Sequence, residues 1–129
     1  MKPYEKLVVC GSEYHFKLTT ANAVALEEEL GTDVLSGLEK LTEIKTLAKY
    51  LFRAAVSRND SINKIEDIYQ LIDDYIADGN TIDSLQELTM DILLTSGILS
   101  QNAYDTSKKL KENSSAELLK LLEGLTKKP

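Results

Sequence analysis

The chain is poor in the residues that usually carry chemistry. Its 129 residues hold one cysteine and one histidine. A single Cys10 excludes an internal disulfide and fits a reducing compartment. One cysteine with one histidine falls short of a structural zinc site. There is no apolar run of membrane-spanning length. Behind Met1-Lys2-Pro3-Tyr4-Glu5 lies only a short apolar run, so no signal peptide is expected. No nucleophile motif surrounds Cys10 or His15, and no stretch repeats. Cys10 is expected to be a buried thiol acting as a small hydrophobe, and His15 an ordinary edge-strand histidine.

What is present is a hydrophobic fraction of 43% and a net charge of -6. The length suits one domain with one modest core. The charge is uneven: residues 1–98 carry 9 basic and 17 acidic side chains, residues 99–129 carry 6 and 4. An acidic body argues against DNA or RNA as the main ligand, because phosphate contacts need a basic surface.

Asn63 to Gly97 reads as two helices joined by a glycine turn. Ile65, Ile68, Tyr69, Ile72, Tyr75 and Ile76 recur at three- and four-residue steps on one helical face. Asn63 and Glu66 form a capping-box pattern, and Gly79 can end the helix in the left-handed conformation. A second helix starts at Thr81 or Asp83. Its stripe of Leu85, Leu88, Ile92 and Leu99 widens through Ile82, Leu93, Met90 and Leu94, as in a helix central to a core or buried in an oligomer.

Before this pair, Lys6–Cys10 and Tyr14–Thr19 alternate as a β-hairpin with Gly11-Ser12-Glu13 as its turn. A lone hairpin is marginal in water, so it must pack on the helices or pair with another chain. Thr19 or Thr20 caps a helix to Leu30 with Ala23, Leu26 and Leu30 inward, stopped by Gly31. Asp33–Leu38 is expected to form an irregular turn broken at Gly37. Thr42 caps a helix to about Ser57 with Ile44, Leu47, Ala48, Leu51, Phe52 and Ala55 inward. Lys45, Lys49 and Arg53 make a basic row, either solvated or matched between subunits to the acidic face of Glu66, Asp73 and Asp74. Tyr50, Tyr69 and Tyr75 read as core or interface residues. Asp73 and Asp74, with Glu66, Asp67 and Asp78, resemble a cation cluster in composition but lack the glycine-interrupted loop of a calcium site. They read as a solvated face.

Residues 100–115 are polar and read as a linker. A short helix follows, capped by Ser114 or Ser115, with Leu118, Leu121, Leu122 and Leu125 on one face. The expected architecture is mainly α, a helix-dominated α+β domain. It comprises a helical domain with an N-terminal hairpin over 1–98, then a linker and amphipathic helix over 99–129.

Three stretches in order resemble a known family. Phe16-Lys17-Leu18-Thr19-Thr20 precedes Leu26-Glu27 and Leu30-Gly31. Asp67-Ile68-Tyr69 leads to Leu71-Ile72-Asp73-Asp74-Tyr75 and Gly79. A closing helix ends in Thr95-Ser96-Gly97. Over residues 13–98 this resembles the tail assembly chaperones of long-tailed phages and prophages of Gram-positive bacteria. Each motif also reads as cap, core or stop; the specificity lies in their order.

The resemblance implies a mainly helical, non-catalytic protein without cofactor. It would bind the tape measure protein, and in addition the tail tube protein as a second candidate partner, act in the host bacterial cytoplasm, and be absent from the mature virion. Self-association as a homo-oligomer is expected on separate grounds, because the lone hairpin, the broadly apolar helix from Ile82 and the leucine-faced last helix seek more surface than so small a chain provides. The candidate partner-binding residues are Leu88, Ile92, Leu118, Leu121, Leu122 and Leu125. The alternatives are a structural or connector protein of a phage particle and a metal-dependent hydrolase.

Overall fold

The structure is a computed structural model that describes residues 4–105. It is helix-dominated, with one antiparallel hairpin at its N-terminus. β1 (Glu5–Val9) and β2 (Ser12–Phe16) pair in the register Val9 to Ser12 and Glu5 to Phe16. The turn is therefore the two residues Cys10 and Gly11, not Gly11-Ser12-Glu13, and β2 ends before Leu18. Both turn residues have positive φ, 49° and 82°. That is the type I′ geometry whose twist matches the flanking strands.

Four helices follow: α1 (Thr20–Leu30), α2 (Ile44–Ala55), α3 (Ile65–Ala77) and α4 (Ile82–Thr95). Thr19 caps α1, its Oγ1 accepting from the Asn22 N–H, and Gly31 closes it at φ 72°. α2 begins one residue later than a Thr42 cap would give, with Glu43 at the N-cap. At α3 the capping acid is Asp67, not Glu66. Its Oδ2 accepts from the backbone N–H of Asn63 and Lys64 at 2.8 and 3.1 Å. These bonds hold the Asp67 carboxyl below its usual range. Thr81 stands at the N-cap of α4.

The central helix is α2, which packs against α1, α3, α4 and β2. It buries Leu47, Ala48, Tyr50, Leu51, Ala54 and Ala55; Ile44 shares their stripe but stands at the first residue of the helix and is 56% exposed. Val9 and Phe16 of the hairpin, Leu26 of α1, Ile68 of α3, and Leu85 and Leu93 of α4 complete the core. On α3 the inward face is Ile68, Leu71, Ile72 and Tyr75. Tyr69 and Ile76, expected on the same face, are 43% and 46% exposed. The apolar arc of α3 is wider than the surface available to cover it.

Asp33–Lys40 departs from the expected broken turn. Ser36–Lys40 is a 3-10 helix with Gly37 buried inside it. The Tyr50 hydroxyl donates to the Val34 carbonyl directly beside Gly37. A glycine stands there because a side chain has no room, not because the helix must break.

The chain divides after Leu99. In the second unit residues 101–105 are helical, inside the stretch expected to be a linker, and Gln101 donates to Asp105 at 3.0 Å. The expected C-terminal amphipathic helix lies outside the described residues.

Candidate functional site

The expected binding residues fall into three situations. Ile92 is 2% exposed and belongs to the core, while Leu88 is half-buried on α4. A partner meeting α4 from outside would touch Leu88 rather than Ile92. Leu118, Leu121, Leu122 and Leu125 lie outside the described residues.

The basic row on α2 is engaged within the chain, Arg53 most closely. Arg53 Nε pairs with the Glu29 carboxylate of α1, and Arg53 also donates to Asn22 Oδ1 at 3.4 Å. Lys49 Nζ donates to the Glu29 carbonyl at 3.4 Å, and Lys45 lies 4.0 Å from Glu43. Arg53 and Lys49 tie α2 to α1, while Lys45 stays at the start of its own helix. This leaves Glu66 and Asp73 on the outer face of α3 beside the exposed Tyr69 and Ile76, an acidic stripe with two apolar side chains in it. Among the described residues, no three His, Cys, Asp or Glu side chains come together as a metal site.

Cys10 is exposed at the hairpin tip, not buried as its apolar strand neighbours suggest, because it is the first residue of the turn. Its N–H donates to Asp78 Oδ2 at 3.2 Å, and its thiol lies 3.6 Å from the Asp74 carbonyl at the end of α3. Partial desolvation there, then the carboxylates of Asp78 and Asp74, push the thiol above its usual range. It stays protonated at neutral pH and is a poor nucleophile.

The outer face of the hairpin carries a charged and aromatic row. Tyr4 stacks on His15 at 4.7 Å, and the Arg58 guanidinium lies 5.6 Å from the Tyr4 ring. Glu13 receives His15 Nε2 at 3.2 Å and Lys6 Nζ at 3.0 Å. The Lys6 bond, then that of His15, holds the Glu13 carboxyl below its usual range. His15 is thus a strand histidine engaged by its neighbours, as expected.

Sequence reasoning passed over Asn59. Its Oδ1 accepts from His15 N–H at 2.9 Å and its Nδ2 donates to His15 C=O at 2.7 Å and to Ala55 C=O at 2.8 Å. The side chain thereby imitates a third strand along the outer edge of β2. Just beyond it, the Lys17 N–H donates to the Ala54 carbonyl at 2.9 Å. No local signal marks this role; an asparagine after a helix reads as an ordinary loop residue.

No helix among the described residues is long and apolar enough to cross a membrane. No family model, curated protein or solved structure matches this chain.

Proposed function

We propose that this chain is a phage tail assembly chaperone. It binds the tape measure protein and keeps it soluble while the tail tube assembles around it. The observation that carries the reading is the ordered set of motifs over residues 13–98. A tape measure protein is a very long helical chain whose apolar stripes aggregate when bare. A chaperone for it needs apolar surface to receive those stripes and strong charge to hold the complex in solution.

The acidic body provides the charge. Leu88 on α4, and Tyr69 and Ile76 within the acidic stripe of α3, are apolar groups within reach of a partner. Many modest contacts of this kind release more readily than one deep pocket, and a ruler protein must be released. On this reading the protein works in the host cytoplasm and leaves before the virion is complete.

The test is co-expression with the long, helix-rich product of the downstream reading frame that this function requires. The expected result is a raised soluble yield of the long product, co-purification of the two, and absence of this chain from finished virions. Equal solubility of the long product alone, or retention of this chain in virions, would establish the structural or connector protein instead.

A further inference from the structure

We propose that the outer edge of β1 pairs antiparallel with β1 of a second copy, joining two hairpins into one four-stranded sheet. This does not rest on the tape measure reading. The two edges of the hairpin are treated differently. Lys6 lies opposite His15 and Val8 opposite Glu13. In a hairpin closed by a two-residue turn, these are the pairs that make no bond to each other, so their N–H and C=O groups point away from the hairpin. On β2 those of His15 are taken by Asn59. On β1, among the described residues, no hydrogen bond uses the backbone of Lys6 or Val8.

An open edge is a template for another strand unless something guards it, and lysine is a common guard. Here the Lys6 ammonium is drawn 3.0 Å from Glu13 of its own hairpin, so its charge is offset. The middle of the edge carries Val8, 57% exposed.

The strand is complementary to itself about Leu7. In the symmetric register Lys6 faces the partner's Val8, Val8 faces the partner's Lys6, and Leu7 faces the partner's Leu7. Two bonded pairs form, with about four new backbone hydrogen bonds, and no like charges stand opposite. A slip of two residues one way sets Lys6 against Lys6. A slip the other way draws Cys10 into the ladder, where its N–H is already held by Asp78. The hairpin thus favours a second copy in one register over an arbitrary extended peptide.

The test uses the full chain under reductant. Sedimentation equilibrium should show dimers forming at roughly 10–500 μM, as suits a small interface. Val8→Pro removes only an outward N–H and should raise the dissociation constant by roughly ten-fold or more, with helical content and melting unchanged. Val8→Thr keeps that N–H and should dimerise like the parent. A nitroxide on Val8→Cys in a Cys10→Ser background reports directly whether the two β1 strands lie side by side. The two labelled backbone positions lie about 8 Å apart across the new pair, so the spectrum should broaden and sharpen again when unlabelled protein is added. A strict monomer throughout the range, or a labelled dimer without broadening, would overturn the proposal.

Discussion

Adding one methyl group at Gly37 tests how the 3-10 segment is fixed. A Cβ built there lies 2.5 Å from the Tyr50 hydroxyl and 2.9 Å from Leu30 Cδ1. The Leu30 methyl ends a flexible side chain and can move. The Tyr50 hydroxyl cannot, because Tyr50 is buried and donates to the Val34 carbonyl. Gly37→Ala must displace that hydroxyl or shift the 3-10 backbone. Overpacking costs about 1–3 kcal/mol. A buried donor or acceptor left unpaired costs about 1–3 kcal/mol. The two partly exclude each other, since the displacement that relieves one causes the other, so the expected loss is about 2–4 kcal/mol.

Tyr50→Phe alone should lose about 1–2 kcal/mol through the Val34 carbonyl. In the double variant the methyl occupies the space the hydroxyl left. Its loss should fall short of the sum of the single losses by about 1–2 kcal/mol. Urea titration of the four proteins measures this, with calorimetry as a check. If Gly37→Ala lies within about 0.5 kcal/mol of the parent, or the two losses add within that margin, the steric account is wrong.

Two further outcomes follow from the same geometry. Burial, and then the charge of Asp33, pushes the Tyr50 hydroxyl well above its ordinary range. The folded state therefore favours the neutral phenol. That contribution is whole below the unfolded pKa near 10 and declines above it by about 1.4 kcal/mol per pH unit. The stability advantage of the parent over Tyr50→Phe should shrink between about pH 10 and 11, and a constant gap would refute the assignment. Asn59→Ala strips the outer edge of β2; it should cost about 1–3 kcal/mol and speed amide exchange at His15, and unchanged exchange there would show that the imitation strand is not what protects it.

Local signals were readable where one residue's chemistry settles a boundary. Thr19, Gly31 and Gly79 mark helix ends as a capping side chain or conformational freedom requires, and Thr81 stands at the start of α4 without a side-chain capping bond. The hairpin was visible by alternation, but not its turn, since a cysteine at φ 49° carries no propensity that announces it. Gly37 was misread because its reason lies in Tyr50, thirteen residues further along and on another helix. Ile44, Tyr69 and Ile76 carry the correct period but sit where no neighbour arrives, and period alone does not say how much of an apolar arc will be covered. The same limit applies to the candidate site: Ile92 and Leu88 share a stripe, yet one is interior and the other reachable. Asn59 was invisible because its role is a contact 44 residues away.

The hairpin is also fastened to the far end of the body. Thr95 donates to Glu5 of β1 at 2.7 Å, and just past β2 the Leu18 N–H donates to Ser96 Oγ at 2.9 Å, across 90 and 78 residues of sequence. During synthesis, then, the hairpin is made well before the residues that anchor it. Until the final turn of α4 has left the ribosome, the hairpin lacks those anchors, and Val9 and Phe16 lack part of their cover. Any product stopped or cut before Thr95 carries a strand pair with an unfinished apolar face. Such a fragment would be a ready substrate for proteases and an unwelcome template for other nascent chains.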